Sequence, residues 1–187
     1  MNKIRIAFVV NSLYGGGAER VLQVVLRNFD RERYDITVIN HLQEHVNELY
    51  PTGIRYKSIL KSRSRLGKFG VKVFNKINLT VYDNFSPRFF RRVYLNEKFD
   101  VEITFIEGYA TRIVSGGRSA KKIAWVHTDL ITNPWSDIAY RSKEEQLECY
   151  GAFDRVVSVS GKVMQSFDEV FPGNRSTVIH NPIDSPR

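Results

Sequence analysis

Cysteine is almost absent from this chain. Among 187 residues only Cys149 carries a thiol, so no intrachain disulfide can form, and a disulfide scaffold is excluded. A lone thiol fits a reducing compartment. Long apolar runs are missing too. The longest early one, Ile6 to Val10, is five residues, too short for a membrane span or the core of a signal peptide. The chain is therefore expected on the synthesis side of any membrane, in the cytoplasm. Six prolines and 12 glycines are too few for collagen or a disordered tail, and no internal repeat or low-complexity linker is found. At this length a chain buries roughly 70% of the surface its unfolded form exposes, so neither metal nor disulfide is needed to hold it together.

Acids are also scarce in one region. Between Lys57 and Arg92 ten bases face a single acid, Asp83, a local charge of +9 in a chain whose total is +8. A patch of this kind points to an anionic partner rather than to general solubility.

What is present is an alternation of strand and helix patterns. Ile4 to Val10 reads as a strand buried on both faces, ended by Asn11 and Ser12. After the turn Leu13 to Gly17, the residues Ala18 to Phe29 place Val21, Leu22, Val24, Val25 and Leu26 at helical spacing. Further strands are expected at Tyr34–Asn40, Ile54–Ile59, Val101–Ile106, Ile123–Val126, Arg155–Val159 and Thr177–Ile179. Helices are expected at Gln43–Tyr50, at two places in the basic stretch, and at Tyr109–Ser115, Ser136–Tyr150 and Gly161–Phe171. Pro87 suits the first turn of the second basic helix. This order implies an α/β fold with a Rossmann-like parallel sheet and helices on both faces. Residues 1–180 make that sheet domain, and 181–187, with Pro182 and Pro186, read as the start of a crossover linker.

Gly15, Gly16 and Gly17 lie between the first strand and the first helix, where backbone amides can meet a phosphate or a sugar hydroxyl. A dinucleotide fingerprint fails, because counting G-x-G-x-x-G from Gly15 puts Arg20 at the third glycine, and Asn40 and His41 stand where an acid is required. A tight turn without a ligand is the alternative. His41-Leu42-Gln43-Glu44-His45 matches a zinc-peptidase string, but it starts at a strand end and has no third ligand, so no metal is expected.

Four segments carry a family resemblance. Asn11 to Leu22, NSLYGGGAERVL, resembles the opening of family 4 glycosyltransferases, which are retaining, nucleotide-sugar-dependent enzymes of two-domain GT-B architecture. Trp125-Val126-His127-Thr128-Asp129, Val157-Ser158-Val159-Ser160 and Val178 to Asp184 resemble later parts of the same half, with Pro182 where that family often has glycine. The resemblance implies an amino-terminal, acceptor-side domain, inactive by itself, whose donor-binding half lies beyond it. It implies a nucleotide-diphosphate sugar as donor substrate, no cofactor, and a glycan or lipid-linked acceptor of envelope or capsular polysaccharide. It places Gly15, Gly16 and Gly17 along the cleft and His127 beside the transferred sugar, as a hydrogen-bonding group where charge develops. Asp129 and Ser160 are further substrate-binding candidates; the family's acid often follows the histidine directly, and helix capping accounts for Ser160 equally well. Glu107 is a candidate acceptor contact by position alone.

Lys57, Lys61, Arg65, Lys68, Lys72 and Lys76 would share one helical face about 100° wide, beside Leu66, Phe69, Val73 and Ile77. Lys61, Arg65, Lys68, Lys72 and Lys76 are therefore candidates for contact with an anionic membrane surface, with the protein peripheral at its inner face. A core-packed helix with a solvated outer face is the plainer alternative. No nucleic-acid motif is present and none is expected as partner. A non-catalytic sugar-binding, anion-binding or membrane-docking module is the alternative to an enzyme.

Overall fold

The computed structural model describes residues 2–13, 16–42, 50–60, 84–119 and 121–183, together with Gly70, Lys72, Val73, Lys76, Ile77 and Thr80. Seven strands form one parallel sheet: β1 (Ile4–Val10), β2 (Tyr34–Leu42), β3 (Arg55–Leu60), β4 (Val101–Thr104), β5 (Lys121–Val126), β6 (Arg155–Ser158) and β7 (Ser176–Val178). Their spatial order is β3-β2-β1-β4-β5-β6-β7. The chain therefore builds outward from β1 in one direction, then returns to β1's other edge with β4. That reversal creates the switch point at which ligands enter sheets of this kind.

The alternate faces of β1 explain its continuous apolar run. Ile6, Phe8 and Val10 pack with Leu22 and Leu26 of α1 (Gly17–Arg27), while Ala7 and Val9 face Ala110, Ile113 and Val114 of α3 (Tyr109–Ser115) and Phe90 of α2 (Pro87–Tyr94). Burying one such leucine or phenylalanine contributes about 1.5–3 kcal/mol. The second face continues across β5 and β6, where Ala124, Val126 and Val156 meet Tyr150 of α4 (Lys143–Gly151) and Phe167 of α5 (Gly161–Val170). Helices thus cover both faces of the sheet. Gly116, at the end of α3, has a packing reason: a Cβ there would stand 2.3 Å from the Pro87 carbonyl oxygen at the start of α2.

Two expectations change. The helix anticipated over Ser136–Tyr150 is a 3-10 turn, Trp135–Ala139, followed by the separate α4. Tyr140 and Ser142 are extended, and the Ser142 hydroxyl starts a new helix by accepting from the Glu145 amide at 3.3 Å. Lys57 does not share a helical face with Lys72 and Lys76. Lys57 lies in β3 and pairs with Glu97, while Lys72 and Lys76 are helical and exposed. Lys61, Arg65 and Lys68 lie outside the described residues, as do most of the helix expected at Gln43–Tyr50 and the last four residues of the 181–187 segment. Pro87 does open α2, behind a Ser86 cap.

Candidate active site

Three strand ends meet at the switch point. Asn11, just past β1, donates from Nδ2 to the Glu107 carbonyl at 2.7 Å and accepts at Oδ1 from the Ala110 amide at 2.9 Å. One side chain thus ties the loop after β1 to the loop after β4 and to the first turn of α3. Gly108 between them adopts φ 89°, a left-handed conformation that side chains rarely enter. The adjoining narrow crevice is lined by Val10, Ala18, Glu19, Phe105 and Ile106.

Glu107 organises the floor. Its side chain is 1% exposed, and Oε1 accepts from the His127 amide (2.6 Å), the Thr128 amide (2.7 Å) and the Thr128 hydroxyl (2.8 Å). Oε2 is buried without a hydrogen-bond partner. Burial pushes this carboxyl above its ordinary range, against the Thr128 and His127 donors that favour the charged form. The expectation that Glu107 touches the acceptor is corrected here. The side chain is turned inward, because β5 ends beside it with amides that need an acceptor, and it positions the His127 loop.

His127 follows β5. Its ring lies 5.3 Å from that of Phe105 and 6.5 Å from that of Trp125, and its Nε2 is buried without a partner. Burial drives its pKa down to about 4, against a hydrogen bond to the Phe105 backbone that favours the charged ring. The imidazole is therefore neutral at physiological pH.

The remaining candidates fall around this centre in different ways. Gly17 opens α1 with open space where a Cβ would be, whereas a Cβ on Gly16 would lie 2.3 Å from Glu19 Oε2. No side chain caps the first turn of α1. Gly15 lies outside the described residues. Asp129 is engaged internally: Oδ1 accepts from the Ser166 hydroxyl at 2.7 Å and from the Ile131 and Thr132 amides, and these donors, Ser166 first, hold its carboxyl well below the usual range. Lys162 lies 3.5 Å from its other oxygen. Ser160 caps α5 by accepting from the Val163 amide at 3.3 Å. Asn11, Thr128 and Trp135 were missed by sequence reasoning, since their partners are distant in the chain or hidden in a loop. The break of β1's apolar run at Asn11 was the available signal. Among the described residues no cluster of three metal-ligating side chains occurs.

A seven-stranded parallel sheet covered by helices on both faces, with a switch point beside β1, defines a Rossmann-like α/β domain. Residues 15–187 match the sequence pattern of Glycosyltransferase Family 4, and the chain belongs to that family. A search among curated protein sequences finds no match. Two solved structures are similar in fold. Anabaena Alr3699/HepE in complex with UDP and glucose superposes with a TM-score of 0.53 at 16% identity, over 97% of this chain and 45% of that one. The same protein in complex with UDP gives a TM-score of 0.52, with the same identity and coverage. The chain therefore spans less than half the length of that neighbour.

Proposed function

We propose that this chain is the acceptor-side domain of a glycosyltransferase that moves a sugar from a nucleotide-diphosphate sugar to a glycan or lipid-linked acceptor, with retention and without a metal. A donor-binding half would complete a two-domain GT-B enzyme, with residues 181–187 beginning the crossover. The observation that carries the reading is the place of His127, directly after β5 at the switch point and against Phe105, with Nε2 lacking a hydrogen-bond partner. A ring nitrogen there donates or accepts a hydrogen bond with a hydroxyl of the transferred sugar. Being uncharged, the ring adds no repulsion as positive charge develops at the anomeric carbon. The open position at Gly17 and the uncapped first turn of α1 suit the close approach of donor phosphates. Support for a UDP-sugar comes from the similar fold of Anabaena HepE, which was solved with UDP and glucose. The test is UDP release from a panel of UDP-sugars by the complete protein. His127→Ala is expected to lower turnover about 100-fold or more with the fold intact, and near-normal turnover would remove His127 from the site.

Attachment to the inner membrane surface is a second element of this proposal. Val73 and Ile77 are 42% and 55% exposed beside Lys72 and Lys76, and Phe85 stacks on Phe89 at 4.3 Å in the open next to Arg88. A core-packed helix would have buried those apolar residues. Each base near an anionic surface contributes about 1 kcal/mol, so Lys72→Glu with Lys76→Glu should release the protein from phosphatidylglycerol vesicles. Unchanged sedimentation with vesicles would refute attachment. No helix among the described residues is long and apolar enough to cross a membrane.

A further inference from the structure

We propose that Trp135 is the platform on which a pyranose ring of the acceptor lies, and that Glu107 holds this platform in place through Thr128. The proposal rests on the glycosyl-transfer reading above and names the part of the site that receives the acceptor.

Trp135 begins the 3-10 turn after β5 and leaves 38% of its surface exposed. It is nevertheless fixed at two edges. Its indole N–H donates to Thr128 Oγ1 at 3.1 Å, and that hydroxyl donates to Glu107 Oε1 at 2.8 Å. Its benzo edge rests against Gly108, where a Cβ would stand 3.6 Å from indole Cζ3 and 3.6 Å from Asn11 Nδ2. Loops after β4 and β5 therefore meet at this ring, and Asn11 from the loop after β1 stands beside the same glycine. An indole needed only for packing would sink its face into the core, and a free surface indole would have no reason for a hydrogen-bonded chain ending on a buried acid.

The same carboxylate oxygen that anchors the platform also accepts from the His127 amide. One buried acid thus sets the spacing between a group suited to the transferred sugar and a surface suited to the receiving one. The opposite oxygen, Oε2, stays buried and unpartnered, while Oε1 takes all three donors of the His127-Thr128 segment. Ile138, 77% exposed in the same 3-10 turn, continues the apolar surface. The axial C–H bonds of a pyranose with equatorial hydroxyls form an apolar face. That face packs on an indole through dispersion and attraction to the negative ring face, while the hydroxyls at its edge stay wet. The chemical class expected is therefore a gluco-configured pyranoside.

The experiment reads Trp135 directly. In the full chain, Trp125→Phe leaves Trp135 as the sole tryptophan, because the chain has two. Its emission and acrylamide quenching are followed on adding methyl β-D-glucopyranoside or cellobiose, with sorbitol as an open-chain control. Saturable protection by the pyranosides and none by sorbitol is the expected result. Trp135→Ala should weaken that binding about tenfold or more and Trp135→Phe by only about threefold, the ratio of an absent to a smaller ring face. Binding to these variants is read by saturation-transfer NMR of the sugar protons. Thr128→Val should weaken it several-fold while restoring nothing on further loss of the indole, which separates a positioning role from general packing. If Trp125→Phe fails to fold, the difference between native and Trp135→Phe emission gives the same quantity. No protection by either pyranoside, or equal sugar binding by native protein and Trp135→Ala, would overturn the platform. UDP binding by the complete protein, measured separately by calorimetry, reports on the donor reading. Pyranoside binding without UDP binding would sink the transferase reading and leave the platform standing.

Discussion

Two buried acids near opposite ends of the sheet, Glu102 and Glu107, are held in different ways. At the amino end, acids meet cations. Glu97 takes Arg5 at 2.9 Å, Arg55 at 3.6 Å and Lys57, while the fully buried Glu102 takes Arg91, and Asp154 receives the Lys122 amide at 2.8 Å. At the carboxyl end Glu107 has no ion pair among the described residues; its donors are two amides and a hydroxyl, and the neighbouring imidazole is neutral. The Arg91–Glu102 pair cancels its own charge, although Arg91 Nε and Glu102 Oε2 are buried without a further partner. Neutral donors aimed at a single oxygen fix a loop yet leave Glu107 Oε2 and His127 Nε2 without partners. At the amino end a buried acid is neutralised by a cation, whereas at the carboxyl end a buried acid is held by neutral donors beside a partnerless imidazole nitrogen.

The largest expected effect tests the amino end. Arg91→Met leaves the Glu102 carboxylate buried and unpaired, and should cost about 3–5 kcal/mol in chemical denaturation. Any surviving folded protein should bind UDP and pyranosides as before, because the crevice is at the other end of β4. A smaller effect is expected at Glu107. Glu107→Leu strands three donors at about 1–3 kcal/mol each, less what relaxation and water recover, for a net loss of about 3 kcal/mol. Glu107→Gln keeps one acceptor oxygen and should recover more than half of that loss. A Gln variant as unstable as Leu would show that the charge, rather than the acceptor, holds the loop, and the contrast between the two ends would fail.

The strands were legible because the sheet is parallel and covered on both faces, so that Ile6 to Val10 is buried without interruption. Strand ends were less so. The expected strand Val101–Ile106 stops at Thr104, although Phe105 still donates its amide to the Val9 carbonyl at 3.0 Å. His127 was singled out only through the family resemblance of Trp125 to Asp129, and Ser160 also by its place before a helix. Asn11 was read only as the end of β1, because its partners lie 96 and 99 residues away. Trp135 was left in the loop just before the helix expected at Ser136–Tyr150, because nothing local in sequence reveals its partner Thr128. Glu107 shows the general limit: sequence puts an acid at a strand end, but whether the side chain faces ligand or protein is decided by the neighbouring strand, which ends one position away in space and 20 in sequence.

Acid should act on the carboxyl end through His127. Its folded pKa of about 4 lies below the ordinary 6.5, so the unfolded chain binds the proton more tightly. The stability associated with the neutral ring is complete above about pH 6.5, declines as pH falls to about 4, and is flat below that. Its upper bound is about 3 kcal/mol, from roughly 1.4 kcal/mol per unit of pKa difference. NMR titration of the ring proton checks the pKa, and His127→Gln should remove the decline in that window. A ring that titrates near 6.5 would mean that the site is wetter than this packing allows.

The smallest effect sharpens the comparison from its weakest member. Lys121 lies 3.5 Å from Asp154, with 67% and 41% of the two side chains exposed, so solvent and salt screen the pair. Lys121→Ala should change stability by about 0.5 kcal/mol or less, and 1 M salt should erase even that. Asp154→Ala should cost more, about 1 kcal/mol, because Oδ2 is the acceptor for the Lys122 amide that opens β5. The difference between these two variants separates charge from hydrogen bonding at the same acid. If Lys121→Ala matched Asp154→Ala, Coulomb attraction would be holding the start of β5, and the exposed ion pairs of the amino end would have to be counted with the buried Arg91–Glu102 pair as elements of stability.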